Sequence, residues 1–192
     1  MTSLAHIWVP LLAYLIGSIP VAVCLGRLKF QEDVRDSGSG NPGATNVYRR
    51  WGFFWGLTVF LLDALKGVAA SMLIGLVEAG PFLAVLVVAC VILGHQYPVF
   101  SRFRGGRGVS TAAGCYLLHM PVLLGVGILV FGIVLATARR VSLASLLAIT
   151  SILIAHTSMH MAGIAYGTTV WGTVIMWLLL LWGHRQNIRR LV

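Results

Sequence analysis

Five long apolar runs, residues 4–28, 52–77, 81–100, 109–138 and 142–182, take up most of the chain. A membrane-crossing helix needs about 20 consecutive apolar residues, with a range near 17–25. Runs of this length therefore constrain the fold more than any other feature. Composition agrees: 58% of the residues are apolar, and five acids among 192 residues cannot solvate a soluble surface. The expected class is an all-α polytopic membrane helix bundle formed by one integral membrane domain, 1–192. Cys24, Cys90 and Cys115 lie inside apolar runs at no ligand spacing and read as small buried hydrophobes. The first run lacks a basic leader and meets its first positive charge at Arg27, so no cleavable signal peptide is expected.

The last two runs are too long for one crossing each. Proline lacks an amide hydrogen and favours a helix start, so His119-Met120-Pro121 divides the fourth run. The stretch 156–167, with His160, Gly163 and Gly167, divides the fifth. This predicts seven helices, of which 109–119 and 168–182 are short. With the amino end outside, the inner loops are 29–51, 101–108, 139–141 and the tail after Gly183. Together with Arg27 they hold thirteen of the fourteen basic residues, Lys66 being the exception. The outer connections near Glu78, Met120 and Gly163 hold none. Such asymmetry orients membrane proteins, and it accounts for the +9 net charge without nucleic acid. The expected topology has the amino end outside and the carboxyl end in the cytoplasm.

Polar chemistry collects on that inner face. Between Ser37 and Arg50 lie six hydroxyl or amide side chains, two arginines and no acid. Glycines 38, 40 and 43 admit unusual backbone angles there. Clustered donors of this kind suit an anion; Ser39, Gly40, Asn41, Thr45, Asn46 and Arg49 are the candidates. In the second segment, Gly105, Gly106 and Gly108 lead into a helix start, where amides and the helix dipole favour phosphate. Arg104 and Arg107 add forked cationic donors. In the third, His184 and Asn187 are three residues apart and share a helix face. Ser142, after Arg139 and Arg140, adds a hydroxyl on the same side.

Asp63 and Lys66 sit inside the second apolar run. An intramembrane charge is a functional candidate by default, yet their spacing also permits a local ion pair; both readings stand. His156 and His160 have ligand-like spacing but no cysteine or carboxylate nearby, and read as packed or interfacial histidines rather than metal ligands. After Asp63 the only acid is Glu78. The inner site is therefore a set of donors and cations almost without acceptors, suited to phosphate esters, and a substrate reacting there must arrive activated or bring its own base.

The segments SGSGNPGATNVYR, GHQYPVFSRFRGGRGVST and GHRQNIRRL, with LLDALKG and VSLAS between them, resemble the motifs of the bacterial acyl-phosphate-dependent glycerol-3-phosphate acyltransferases. The resemblance runs through nearly the whole chain. It implies a seven-helix inner-membrane enzyme of phospholipid synthesis, with its active site on the cytoplasmic face. Such an enzyme transfers a fatty acyl group from acyl phosphate to the 1-hydroxyl of glycerol 3-phosphate, giving lysophosphatidate and phosphate. It uses no cofactor and no metal, and its partners are the two substrates and the bilayer; a homo-oligomer and neighbouring phospholipid-synthesis enzymes are compatible with it.

By motif, Ser39 and Arg49 grip glycerol phosphate, the glycine run with Arg107 holds phosphate, and His184 and Asn187 close the site. Ser142 is a further contact. The soluble-type His-x4-Asp motif is absent, Phe100 standing five residues after His95. Arg104 and Arg107 replace the family's usual lysines, Gln186 stands where glutamate is common, and the sequence ends at Val192 without the family's Gly-x-Glu tail. The competing reading is a transporter or carrier of phosphate-ester anions; no internal repeat supports it.

Overall fold

The structure is a computed structural model that describes residues 2–77, 79–164, 166–167 and 169–189. Glu78, expected on the outer face, and the tail residues Arg190, Leu191 and Val192 lie outside the described residues. Among the described residues every regular element is helical. The chain forms two compact units, 1–114 and 115–192. Five segments are long and apolar enough to cross a bilayer: His6–Phe30, Phe53–Gly75, Pro81–Ser101, Pro121–Ala138 and Val141–Met161. Val170–Gly183 is a shorter apolar helix.

In the first unit, α1 (Thr2–Gly17) and α2 (Val21–Leu25) divide a run that the sequence reads as one span. Pro20 has no amide to donate, and the Val21 amide turns back to Ile19. Lys66, reaching from α4 (Phe53–Gly75), donates to the carbonyls of Gly17 and Ile19 at 3.2 and 2.9 Å. A broken helix inside a membrane survives only where something re-satisfies its backbone, and here the lysine does so.

Helix α1 packs on α5 (Pro81–Gln96) through glycines on both sides. A methyl on Gly94 would fall on the carbonyl of Tyr14 and 3.0 Å from the Ser18 amide; one on Gly17 would fall on the carbonyl of Val91. Small residues let backbones approach this closely, and in lipid such packing replaces the hydrophobic drive. Gly94→Ala is expected to cost about 1–3 kcal/mol, read as a lower unfolding temperature in detergent; an unchanged temperature would show that the two helices can separate freely.

After a single π-helical turn (Gly26–Phe30), the chain enters the 31–52 segment, which is anchored rather than loose. Val34 and Val47, both fully buried, pack with Ala22 and Val59, and Trp51 and Trp55 cover them. Phe30 stacks on Trp51 at 4.3 Å between ring centroids. Because Val47 faces inward on α3 (Ala44–Trp51), Tyr48, Arg49 and Arg50 fall on its open side. Helix α6 (Val109–His119) meets α4 where Gly114 lies against the Ala64 carbonyl.

In the second unit, Pro121 opens α7 (Pro121–Ala138) at its first turn, as proline favours. Helix α7 lies along α8 (Val141–Met161) with Gly127 under Ile152. The turn to α9 (Val170–Gly183) takes positive φ at Gly163 and Gly167. His156 fastens that turn: Nε2 lies 3.2 Å from the Tyr166 carbonyl, which can only accept, so Nδ1 is the acceptor for the Thr173 hydroxyl at 2.7 Å. His160, by contrast, is exposed.

Candidate active site

The first polar segment is organised by Asn46. Its side-chain amide donates to the carbonyls of Val34 and Ser37, and its Oδ1 accepts from the Ser39 amide. Gly38, at φ +60°, passes so close that a methyl there would strike Oδ1. Asn46 is thus buried within the loop it shapes, while Ser39 and Gly40 stand exposed and Asn41 and Thr45 half-buried. The Asn41 amide points at the Ser39 hydroxyl, 3.5 Å away.

A second brace fixes this loop to the next. Asp33 accepts from the Arg35 guanidinium at 2.9 and 2.6 Å, and Arg35 also donates to the Ser101 carbonyl at 3.1 Å. Those bonds, chiefly, hold the Asp33 carboxyl well below the usual carboxylate range, and the same carboxylate raises the Arg35 guanidinium. A group depressed on folding stabilises the protein at every pH above its unfolded value, about 3.9, and loses that contribution as pH falls further. Asp33→Asn is therefore expected to destabilise the protein by about 1.5–3 kcal/mol at neutral pH. The gap to wild type should close only below about pH 4, as followed by thermal unfolding across pH. A gap that closed between pH 7 and 5 would refute this assignment.

The second polar segment doubles back on the end of α5. The Gly105 amide donates to the Gln96 carbonyl at 3.2 Å and the Gly106 amide to the His95 carbonyl at 3.1 Å. The Gln96 side chain in turn donates to the Arg107 carbonyl at 3.0 Å. The sequence reading offers all three glycine amides to a phosphate; in the fold, those of Gly105 and Gly106 cap the carbonyls that α5 leaves open. Gly108, at φ +89°, then turns the chain into α6, whose first amides have no preceding helical carbonyl. Arg104 is exposed and Arg107 half-buried.

Between these segments lies a cleft whose walls include Ile19, Pro42, His95, Arg104 and Gly106, with Asp63 and Lys66 behind them. Lys66 pairs with Asp63 at 2.8 Å, and its Nζ lies 3.2 Å from His95 Nδ1. All three side chains are buried. The ion pair allowed by the sequence spacing is present, and the lysine also serves the break after α1. His95 was not legible as a site residue, although a histidine ending the span that follows an intramembrane Asp-x-x-Lys is the signal that finds it.

The acids of this unit are largely occupied. Arg50 grips Glu32 at 2.9–3.1 Å, Arg27 and Arg35 hold Asp33, and Lys66 holds Asp63. Arg49 and Arg104 form no ion pair among the described residues.

The second unit holds the remaining candidates. His184, 1% exposed, caps α9 and lies with Nδ1 2.8 Å from the Leu180 carbonyl. A carbonyl only accepts, so Nδ1 carries the hydrogen and Nε2 is the lone-pair nitrogen of the neutral ring. Asn187, on the short α10 (Arg185–Ile188), donates to the Ser142 hydroxyl at the start of α8. Ser142, His184 and Asn187 thus gather around the α9–α10 corner.

Residues 7–192 match the family described as glycerol-3-phosphate acyltransferase. The chain is 39% identical to glycerol-3-phosphate acyltransferase 2 of Lactobacillus johnsonii, over all of this chain and 87% of the relative. It is 41% identical to the glycerol-3-phosphate acyltransferase of Syntrophomonas wolfei, over 94% of this chain and 90% of the relative. Among solved structures it is similar to PlsY, an integral membrane glycerol 3-phosphate acyltransferase, in its glycerol 3-phosphate form. That match has a TM-score of 0.85 and 37% identity, covering 97% of this chain and 91% of the other. The lysophosphatidic acid form matches with a TM-score of 0.82.

Proposed function

The chain belongs to the glycerol-3-phosphate acyltransferase family, and from that membership we propose that it transfers a fatty acyl group from acyl phosphate to the 1-hydroxyl of glycerol 3-phosphate. The single observation that carries this reading beyond membership is the charge arrangement. Arg49 and Arg104 stand without ion pairs among the described residues, whereas Arg27, Arg35, Arg50 and Lys66 are matched by Asp33, Glu32 and Asp63. Unmatched guanidinium groups beside hydroxyl and amide donors suit two phosphate groups.

An acyl phosphate is a mixed anhydride, so its carbonyl is already electrophilic and phosphate leaves readily. The protein's task is to bring two anions together and neutralise them. The 1-hydroxyl oxygen bonds to the acyl carbon, the carbon–oxygen bond to phosphate breaks, and phosphate departs with that electron pair. The hydroxyl proton passes to a substrate phosphate or to His184, the two acceptors the motifs leave open. Ser39 and Arg49 hold glycerol phosphate, with Gly40, Asn41 and Thr45 beside them, and Asn46 acts by shaping the loop. Arg104, Arg107 and the amides after Gly108 hold phosphate, while Gly105 and Gly106 set their position. Asn187 and Ser142 orient the third motif.

The enzyme is read as a single 1–192 domain in a bacterial inner membrane, with seven crossings, the amino end outside and the site on the cytoplasmic face. The placing of Arg and Lys supports that orientation. In this reading the short helices α6 and α9 complete the count of seven, α6 crossing only in part.

Purified protein given acyl phosphate and glycerol 3-phosphate should release phosphate and form lysophosphatidate in equal amounts. Saturable glycerol 3-phosphate uptake into liposomes without product would replace this reading with that of a carrier. Arg49→Gln is expected to raise KM for glycerol 3-phosphate by about 10–100-fold, the loss of a charge-assisted bond to phosphate. Steady-state kinetics that left that KM unchanged would remove Arg49 from the grip.

A further inference from the structure

The buried Asp63–Lys66–His95 group does more than close the break after α1. An ammonium has three hydrogens to donate and no lone pair to accept with. Lys66 Nζ has Asp63 Oδ1, two backbone carbonyls and His95 Nδ1 within 2.8–3.2 Å. With four acceptors for three hydrogens one is shared, and an Nδ1–H 3.2 Å from the ammonium would set two donors head to head, so His95 Nδ1 is the accepting nitrogen and the hydrogen of the neutral ring lies on Nε2. Asp63 Oδ1 stands 3.7 Å from Nδ1, on the same side of the ring. The opposite edge borders Gly106, where a methyl would fall on Nε2, and the ring lines the cleft together with Arg104. Nε2 has no hydrogen-bond partner among the described residues.

We infer that Lys66, braced by Asp63, fixes His95 in the Nε2–H form, so that His95 donates to a phosphate oxygen lodged in the cleft beside Arg104. This deepens the acyltransfer reading and rests on it for the identity of the phosphate, which both substrates carry. Lys66 is then a positioning residue and His95 a binding residue. The glycine at 106 leaves the Nε2 edge uncovered.

The test uses the whole protein in detergent with 15N-labelled histidine, the His95 signals being assigned by their loss in His95→Gln. The expected spectrum has hydrogen on Nε2 and none on Nδ1. Inorganic phosphate or glycerol 3-phosphate should move the Nε2–H signal saturably, with a midpoint about tenfold or more higher in Arg104→Gln. The double variant Asp63→Asn, Lys66→Met should let the Nδ1–H form appear. Hydrogen on Nδ1 in the wild type, or a signal that neither anion moves, would overturn the inference whatever the variants do.

Kinetics separate the two sources. A KM raised about tenfold for glycerol 3-phosphate in His95→Gln assigns the contact to that phosphate, and one raised for acyl phosphate assigns it to the donor. Wild-type KM and kcat for both in a folded His95→Gln protein would also overturn it. A wild type that forms no lysophosphatidate, yet whose His95 signal still responds to phosphate, would fault the acyltransfer reading and leave the anion contact in place.

Discussion

His184→Gln is expected to lower kcat by about 10²–10⁴-fold, the range for loss of a positioned proton acceptor, while the protein stays folded. Glutamine can still donate to the Leu180 carbonyl, so the cap at the end of α9 has a replacement, but it offers no basic nitrogen. The bond from Nδ1 to Leu180 matters here because it decides the tautomer. In that tautomer Nε2 is the nitrogen with the lone pair, and after Asp63 the sequence has no Asp or Glu but Glu78 to orient the ring. The check is steady-state kinetics on purified variants, with thermal unfolding as the control for folding. Full turnover in His184→Gln would move the proton to a substrate phosphate, which can also accept it.

Gly105→Ala should be about as damaging by a different route. A methyl there would fall on the His95 carbonyl, 2.5 Å from Pro98 Cδ and 2.7 Å from the Gln96 carbonyl oxygen. None of these is a flexible side-chain end that could swing aside. The segment must lift from α5, breaking the Gly105–Gln96 and Gly106–His95 hydrogen bonds. Overpacking costs about 1–3 kcal/mol, and two lost hydrogen bonds add about 1 kcal/mol each. Arg104, Arg107 and the start of α6 move with the segment, and displacement of about 1 Å can cost on the order of 10²-fold in rate. We expect kcat/KM to fall at least ~100-fold with a lower unfolding temperature. Gly125→Ala is the control, since a methyl there meets nothing within 4 Å. Equal behaviour of the two variants would show that the close approach at Gly105 has no function.

Much of this was legible because it depends on neighbouring residues. Membrane class follows from the apolar runs, the breaks before Pro121 and at Gly163 and Gly167 from backbone chemistry at those residues, and the family from three motifs in order. The Asp63–Lys66 pair was legible as a possibility because three residues separate its members on one helix. The break inside the first run was harder to read. Pro20 marks it, but the partner that makes it tolerable comes from a different helix.

By itself, then, the sequence determined the solvent this protein lives in, its long apolar helices after the first run, the clustering of its cations and its kind of substrate. The fold decided what each donor faces. It turned the Gly105 and Gly106 amides onto α5, folded Asn46 into its own loop, and brought Lys66 against carbonyls 49 and 47 residues away. It also set His95 with its hydrogen on Nε2 and His184 with its hydrogen on Nδ1. The physical reason is that a polar group's identity is local, whereas its hydrogen-bond partner in a membrane, where water cannot serve, must come from whichever element packs beside it.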